Sequence, residues 1–178
     1  MAIADAAVTK ETTRETPISA DVFKQSMRLL AGGVCICTTA KNGERLGLTM
    51  TAVCSLTLEP PTLVVCVNRD AQAHDMMRAT KRLCINFLAS EHVQLAELFS
   101  SVSFKGSGRF DPAQWTDMAS GVPALNNSLA ALDCEIIQES SVGQHSVFVC
   151  EVKAARLNPE KEPLVHFNRE FCELLPIA

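Results

Sequence analysis

β-Favouring residues dominate the segment 45–68, which reads R-L-G-L-T-M-T-A-V-C-S-L-T-L-E-P-P-T-L-V-V-C-V-N. Val, Thr and Cys at this density predict two strands, and Glu59-Pro60-Pro61 predicts the turn between them because proline fixes φ and removes a backbone donor. In the first strand, small hydroxyl groups recur at alternate positions and apolar side chains face the other way. The hydroxyl set is Thr49, Thr51, Ser55 and Thr57, and the apolar set is Met50, Ala52, Leu56 and Leu58. Such a face lets a planar polar ligand approach the backbone, although a solvent-facing strand rich in threonine gives the same pattern.

The chain before this segment predicts a helix and a hairpin. Ser19 can cap a helix whose apolar residues recur at helical spacing, and Ala31-Gly32-Gly33 predicts its end. We expect this helix to pack against one side of a barrel through Val22, Phe23, Met27 and Leu30. A strand is predicted over residues 34–40, and Lys41-Asn42-Gly43 predicts a tight hairpin turn because Asn-Gly accepts positive φ.

The remaining chain predicts further strands with short helices between them. A loop follows Arg69, a short helix contains His74, a buried strand covers residues 82–89, and Ser90 opens another helix. Residues 100–121 are rich in Gly and Ser and predict an excursion from the core. This excursion carries Phe104, Phe110 and Trp115. Aromatic side chains on such a loop can recognise a ligand or partner, although they more commonly anchor the loop. Strands resume at residue 129, with turns at residues 142–145 and 158–163.

Many strands with hairpin-like links and only short helices favour a mainly β fold with peripheral helices, an antiparallel barrel rather than a doubly wound sheet. The length of 178 residues predicts a single domain over residues 18–178, preceded by a flexible polar arm of residues 1–17. Neither G-x-G-x-x-G nor the P-loop pattern occurs, so the sequence supports no Rossmann or P-loop nucleotide site.

Composition narrows the class of partner. Hydrophobic residues make up 47% of the chain and charged residues 20%, which is enough for a substantial core. The net charge of −4 with no basic block makes nucleic acid and an anionic membrane surface poor candidates. No apolar run is long enough to cross a bilayer, and the N-terminus lacks the features of a secretory signal. We therefore expect a cytoplasmic protein.

Cysteine and histidine are the residue types that most often carry protein-borne chemistry. The eight cysteines lie mostly in apolar strand-like runs, which favours core packing over disulfides or a metal site. None of the four histidines lies four residues from another, and no G-x-S-x-G motif occurs. We therefore expect no metal and no protein nucleophile, so a cofactor must carry the chemistry if the protein is an enzyme.

Several segments together resemble the short-chain flavin reductases, the reductase components of two-component flavin monooxygenases. The segment 47–69 resembles the family's flavin-contacting segment, and F-K-Q-S-M-R-L-L-A-G-G-V-C-I-C-T-T at residues 23–39 resembles its opening helix and first strand. Gly143-Gln144-His145 matches the family's Gly-Asp-His motif with Gln in place of Asp. G-S-G-R-F at residues 106–110, followed by Trp115, and P-L-V-H-F-N-R-E-F at residues 163–171 resemble two further family segments.

The resemblance implies a set of cofactor-binding residues. Flavin would lie against residues 49–55, its phosphate near Arg69, and the nicotinamide near His145. Family members usually carry Ser or Thr where this chain has residues 70–73, which leaves Arg69, backbone amides and His74 for the phosphate. Without the resemblance, Arg69 would be interpreted as a solvated strand-end charge. The full implied set is Thr49, Met50, Thr51, Ala52, Ser55, Asn68, Arg69, Ala73, His74, Phe110, His145 and Phe167. It includes no catalytic side chain and no metal ligand.

The fold implied by the resemblance is the FMN-binding split barrel, a Greek-key antiparallel barrel that is typically a homodimer. The implied activity is hydride transfer from NADH or NADPH to FMN or FAD, with the reduced flavin passing to a separate monooxygenase. An excursion bearing Phe104, Phe110 and Trp115 also favours a homodimer, because a small barrel would otherwise expose it. Two alternatives stay open: a split-barrel protein that holds flavin as an electron carrier or oxidase, and an interaction domain that binds no flavin.

Overall fold

The computed structural model describes residues 17–101, 103, 106–110 and 114–175. Its helices and strands follow in this order: α1 (Ala20–Arg28), β1 (Gly32–Gly33), β2 (Cys35–Lys41), β3 (Glu44–Met50), β4 (Val53–Leu58), β5 (Pro61–Asn68), α2 (Gln72–Thr80), β6 (Arg82–Phe87), α3 (Val93–Ser100), β7 (Trp115–Asp117), β8 (Pro123–Leu125), β9 (Ala130–Val142), β10 (His145–Leu157), β11 (Val165–Phe167) and β12 (Glu170–Cys172). Short 3-10 turns occupy Ser90–His92 and Ser107–Arg109. The predicted N-terminal arm, apart from Pro17, lies outside the described residues, as does Phe104.

Seven strands form one antiparallel sheet in the order β3-β2-β6-β9-β10-β5-β4. The two edge strands, β3 and β4, are consecutive in the sequence, with Thr51 and Ala52 alone between them. Because each residue spans at most about 3.6 Å, the sheet edges must come within about 11 Å of each other at this link. No ladder joins β3 to β4 in the part of the chain that the structure describes, so the curled sheet is a split barrel rather than a closed one. The predicted fold class is confirmed.

The segment 45–68 forms three strands, so the prediction of two is wrong. β3 pairs with β2, whereas β4 pairs with β5, and the chain crosses between the two edges at Thr51 and Ala52. The turn at Glu59 and Pro60 joins β4 to β5 as predicted. A register shift between Ser55 and Thr57 bulges β4. The expected single row of hydroxyl groups is therefore broken twice, once between strands and once within β4.

Helix α1 begins where the sequence predicts, but it packs differently. The Ser19 hydroxyl accepts a hydrogen bond from the Val22 amide at 3.2 Å, which caps the first turn. The helix ends at Arg28, and Gly32–Gly33 pair with β11 as strand β1 instead of ending the helix. No residue of α1 is buried. The expectation that this helix packs against the barrel is wrong for the single chain, because its apolar face stays exposed.

Two tight turns confirm predictions made from local sequence. The β2–β3 hairpin turns at Asn42 and Gly43, whose φ angles are 52° and 84°. The β9–β10 hairpin turns at Gly143, with φ 55°, and Gln144. These positive φ values are the reason that Asn and Gly occupy the turns.

Cysteines contribute to the barrel core, as predicted. Cys35, Cys37, Cys84, Cys134 and Cys150 are buried, and all eight thiols of the chain are free. Burial raises the pKa of Cys35 and of Cys150 to about 12, so these thiols stay protonated and inert.

The excursion over residues 100–121 is anchored by its aromatic side chains. Trp115 is buried, and its ring lies 4.9 Å from that of Phe110 and 5.6 Å from that of Phe99 on α3. Gly47 on β3 makes room for this cluster, since a Cβ there would lie 2.8 Å from Cε1 of Phe99. Phe110 and Trp115 therefore anchor the loop, the commoner of the two roles considered for them. They do not form the exposed aromatic patch that was expected to favour a homodimer, so these two residues give no support for one.

Candidate functional site

A cleft of about 760 Å³ lies between β1 and β4, where the barrel is split. We call it the β4 cleft. One wall comes from the end of α1 and from β1, the other from Thr51 and β4, and the floor is mostly hydrocarbon. Its lining includes Met27, Leu30, Gly32, Gly33, Thr51, Cys54, Ser55, Thr57 and Leu58, with Leu132 and Leu164 at the floor. The volume falls in the range of small-molecule sites, roughly 300–1,000 Å³.

The backbone is closely approachable along the walls of this cleft. A Cβ on Gly32 would lie 3.3 Å from the Cβ of Thr51, so the absence of a side chain lets β1 come near the β3–β4 link. β4 is an edge strand paired with β5 alone, so part of its backbone N–H and C=O groups point away from any ladder. The hydroxyl groups of Thr51, Ser55 and Thr57 lie on the same wall. Together they give one polar edge to an otherwise apolar cleft.

A second, polar pocket of about 450 Å³ lies where β5 ends and β10 begins. It is lined by Arg69, Asp70, His74, Asp75, Arg78, Gly143 and Gln144. His145 lies opposite Asn68 in the β5–β10 ladder, and the Arg69 amide donates to the Gln144 carbonyl at 2.9 Å. The β4 cleft is close by, because the Ala52 carbonyl accepts from the amide of Cys66, two residues before Asn68.

The N-terminus of α2 faces the same region. Asn68 Oδ1 accepts from the Asp70 amide at 2.9 Å, which turns the chain into the helix. The residue that precedes the helix is Ala71, so no side chain caps the first turn. The Gly106 amide, from the excursion, lies 3.5 Å from Oε1 of Gln72 on that turn. Uncapped N–H groups and the helix dipole favour an anion at such a terminus.

Six of the predicted site residues come together along the line from the β4 cleft to the polar pocket. Thr51 and Ser55 line the β4 cleft, and Ala52 lies in the link between β3 and β4. Asn68 and Arg69 lie at the end of β5, and His145 is exposed beside them at the start of β10, so it joins the same group as a sixth. Their roles toward a cofactor stay predictions.

Four predicted residues point elsewhere. The Thr49 hydroxyl donates to the Ala96 carbonyl at 2.7 Å and so ties β3 to α3. Met50 and Ala73 are buried in the barrel core, and Phe110 packs against Trp115. The sequence placed Thr49 and Met50 on the ligand strand because nothing local marks the break after Met50. The side chains of all four residues are occupied by these contacts within the protein and do not face the β4 cleft or the polar pocket.

His74 and Phe167 also differ from expectation. His74 is 2% exposed, and both of its ring nitrogens are engaged, with Ser146 at 2.9 Å and Asp75 at 3.0 Å, so neither nitrogen faces a phosphate. Phe167 is exposed on β11, next to β1, and lines neither the β4 cleft nor the polar pocket.

Sequence reasoning missed residues that line the β4 cleft from distant segments. Gly32 and Gly33 were interpreted as the end of a helix, although their lack of side chains is what shapes one wall. Leu132 and Leu164 reach the floor from β9 and from the segment before β11. Backbone hydrogen bonds to Val34 and Leu88, next to the pairing of β1 with β11, bring Leu164 there, and no local pattern encodes these contacts.

No group of three His, Cys, Asp or Glu residues is placed to hold a metal ion within the described ranges. Among the helices that the structure describes, none is long and apolar enough to cross a membrane.

Comparison with known proteins gives consistent results. The family described as flavin reductase like domain matches residues 27–175. A protein of Pantoea ananatis (strain LMG 20103) named FMN reductase (NADH) RutF is 40% identical over 162 residues, covering 91% of this chain and 85% of its own. The crystal structure of a candidate flavin reductase from Haemophilus somnus 129PT is similar with a TM-score of 0.84 and 34% identity, covering 88% of this chain and all of that one.

A third similar protein was solved with ligand fragments. It is the NADH:FAD oxidoreductase SgcE6 of Streptomyces globisporus C-1027, in complex with NAD and FAD fragments. Its TM-score is 0.81 at 26% identity, with 88% of this chain and 93% of that one covered. By fold and site, then, the chain is an antiparallel split barrel with a ligand-sized cleft at its open edge. It belongs to the flavin reductase like domain family.

Proposed function

We propose that this protein is an NAD(P)H:flavin oxidoreductase that passes reduced flavin to a separate flavin-dependent monooxygenase. The observation that carries the proposal is the joining of two unlike sites at one strand end. The apolar β4 cleft reaches Thr51, and the polar pocket begins at Arg69. Between them, the Cys66 amide donates to the Ala52 carbonyl. A flavin has the same division into a flat ring and a charged phosphate.

FMN and NADH are the pair we propose first, because the similar Pantoea protein is named for both. FAD is second, since the similar Streptomyces protein was crystallised with NAD and FAD fragments. A separate monooxygenase as the acceptor follows from the resemblance to reductase components of two-component systems.

The residues of the site fit a flavin by their chemistry. The β4 cleft is mainly apolar with hydroxyl groups along one wall, which suits an aromatic ring that carries polar atoms at its edge. The uncapped N-terminus of α2 and the exposed guanidinium of Arg69 suit a phosphate. The family's Ser and Thr are missing from residues 70–73. Backbone amides and Arg69 would therefore carry the phosphate interaction here.

Each side chain of the site would then bind or orient rather than react. The hydroxyl groups of Thr51 and Ser55, with the backbone at Ala52, would hold the polar edge of the ring. Arg69 would hold the phosphate, and His145 the carboxamide or phosphate of the dinucleotide. When bound, flavin supplies the acceptor for the hydride of the dinucleotide. The walls of the β4 cleft would exclude water from that step.

We further propose a homodimer as the working form. The support comes from α1 and β4. Val22, Phe23 and Met27 are exposed on α1, and Leu58 is 84% exposed on β4. Met27 and Leu58 both line the β4 cleft, so the two apolar surfaces are continuous. An exposed apolar surface of this kind is typical of an interface, and a second copy of the chain would cover it beside the cleft.

The test is NADH oxidation with and without added flavin. We expect oxidation of NADH that depends on FMN and is faster with FMN than with FAD, measured anaerobically from the loss of flavin absorbance. Tight flavin binding without NADH oxidation would point to the electron carrier or oxidase instead. If the protein binds no flavin, the remaining alternative is that it is an interaction domain without a redox function.

A further inference from the structure

His74 lies at the centre of a buried contact between α2 and the β9–β10 hairpin. Its ring lies in the first turn of α2 and stacks on Phe148 of β10 with centroids 5.8 Å apart. Nε2 is 2.9 Å from Oγ of Ser146, which is itself fully buried. Nδ1 is 3.0 Å from the exposed carboxylate of Asp75. Because these contacts occupy both ring nitrogens, His74 has a role other than direct ligand binding.

The contact continues from Ser146 to the far end of the helix. Ser146 Oγ donates to Glu139 Oε1 at 3.2 Å, and the same carboxylate pairs with Arg78 at 2.8 Å and with Lys81 at 3.8 Å. Burial alone would raise the pKa of Glu139, but hydrogen bonds from Arg78 and Ser146 outweigh it and the pKa lies below its ordinary value. Glu139 is therefore a carboxylate at neutral pH, and α2 is tied to the hairpin from its first turn to just beyond its last.

The direction of the hydrogen bonds follows from the donors available. A carboxylate can only accept, so the single proton of the Ser146 hydroxyl goes to Glu139. With that proton engaged, Ser146 offers a lone pair to Nε2 of His74 and the Asp75 carboxylate offers one to Nδ1, so the donor and acceptor roles of the two ring nitrogens depend on the tautomer. Any side chain that replaces His74 in this contact must place a polar atom at the position of Nε2.

Both ends of this contact adjoin the site. Ser146 directly follows His145 in the sequence. His74 lies only a few residues after the turn formed by Asn68 and Arg69. At the surface, the Arg69 amide, just after β5, donates to the Gln144 carbonyl of the hairpin turn at 2.9 Å. The β5–β10 ladder, with His145 opposite Asn68, holds β10 to β5, and the buried His74–Ser146 bond adds a link from β10 to the first turn of α2.

We propose that His74 is a positioning residue: its hydrogen bond to Ser146 holds the hairpin that carries His145 in place against the first turn of α2. The proposal rests on the proposed reductase function only for its kinetic effect, and the structural coupling can be measured without turnover. Loss of the bond lets His145 move relative to the flavin site. The penalty falls on dinucleotide binding, so KM for NADH rises while kcat changes little.

The test compares two amide substitutions that differ by one methylene. In His74→Gln the amide nitrogen reaches about as far as Nε2 and can donate to Ser146, whereas in His74→Asn it reaches only about as far as Nδ1. We expect His74→Asn to raise KM for NADH roughly fivefold with kcat within about twofold, the size expected for one hydrogen bond. We expect His74→Gln to stay within about twofold of the wild type in both constants.

Ser146→Ala supplies a second variant should His74→Asn fold poorly. It should raise KM as His74→Asn does, and the double variant should be no worse than either single one, because both remove the same bond. Hydrogen exchange at the Arg69 amide should speed up in His74→Asn and Ser146→Ala but not in His74→Gln.

Three results would overturn the positioning role: equal KM shifts in the Asn and Gln variants, no KM shift in either, or additive effects of His74→Asn and Ser146→Ala. If the wild type proves inactive with NADH, the reductase proposal fails, and hydrogen exchange alone decides on the coupling. Unchanged exchange at Arg69 in His74→Asn then contradicts it.

Discussion

His145 lies directly opposite Asn68 in the β5–β10 ladder, at the point where β5 ends and β10 begins. The two residues are far apart in the sequence, and each belongs to a segment that resembles a cofactor-binding segment of the flavin reductases. Antiparallel pairing of β5 with β10 is therefore what joins the expected phosphate side of the site to the expected nicotinamide side. This relationship allows the two sides to be tested separately.

Arg69→Ala should weaken flavin binding. The guanidinium is exposed beside the uncapped N-terminus of α2, where a charge-assisted hydrogen bond to phosphate contributes roughly 1.5–3 kcal/mol. We expect Kd for FMN to rise about ten- to a hundredfold by fluorescence titration, with a smaller effect on flavin reduction in the bound complex. Lys153→Ala, which removes an equal charge from a cation paired with Glu135 and Glu151, is the control and should not change Kd. Unchanged affinity in Arg69→Ala would refute the phosphate role.

His145→Ala should impair the dinucleotide side alone. Hydride transfer needs no proton from the protein, so the expected loss is in positioning: a higher KM for NADH and flavin reduction slower by roughly tenfold, equivalent to about 1.4 kcal/mol. Flavin affinity should stay close to that of the wild type, because His145 lies across the ladder from β5 rather than in the β4 cleft. Stopped-flow reduction at varied NADH measures this. An equal loss of flavin binding, or wild-type kinetics, would contradict the assignment.

Cys54 should report on occupancy of the β4 cleft. It is exposed and lines the cleft, whereas Cys35, Cys84 and Cys150 are buried with pKa values raised to about 12 by burial. We expect Cys54 to react first with a thiol reagent at pH 8 and to be slowed by saturating FMN. Cys172, half-buried on β12 and outside the cleft, should react at a rate that FMN does not change. Peptide mapping of the labelled protein distinguishes Cys54 from Cys172. If Cys54 reacts at the same rate with and without FMN, the β4 cleft is not the flavin site.

The sequence predicts this fold best where the structure is determined by local chemistry. Asn42 and Gly43 turn as expected because their side chains tolerate positive φ. Ser19 caps α1 because a hydroxyl at that position reaches the Val22 amide. The break between β3 and β4 could not be predicted in the same way. Thr51 and Ala52 follow a run of good strand formers, and what separates the strands there is the curling of a seven-stranded sheet that brings its two edges together.

In the candidate site, too, some residues could be predicted from local sequence and others depend on the tertiary structure. Thr51, Ser55, Asn68, Arg69 and His145 were found because their segments resemble family segments that keep their order in the chain. Met50 and Ala73 were assigned with them but are buried, since alternate residues of a strand and one face of a helix must fill the core. The sequence left Trp115 with two possible roles, recognition or anchoring of its loop, and only the neighbouring Phe99 and Phe110 show that it anchors the loop.

Gly47→Ala should destabilise the fold without touching the site. A Cβ at this position would lie 2.8 Å from Cε1 of Phe99 and 3.0 Å from the Cys37 carbonyl oxygen, so α3 or β3 must shift. We expect a loss of roughly 1–3 kcal/mol in the free energy of unfolding, as for other overpacked cores. Gly33→Ala is the matched control, because nothing lies within 4 Å of the added Cβ. Urea denaturation of both variants measures the difference, and equal stability of the two would show that the contact is relieved at no cost.

Phe23→Asp should convert the proposed homodimer into a monomer. Phe23 is 56% exposed on a helix with no buried residue, so the substitution removes no core contact and the chain should remain folded. In a dimer, the same position would place an unpaired carboxylate against an apolar surface, which is strongly unfavourable. Lys24→Ala, on the same helix and paired only weakly with Asp21 at 3.9 Å, is the control and should remain dimeric. Light scattering at micromolar concentration should give twice the chain mass for the wild type and Lys24→Ala and a single chain mass for Phe23→Asp. A wild-type protein of single chain mass would exclude the homodimer, and a dimeric Phe23→Asp would exclude α1 from its interface.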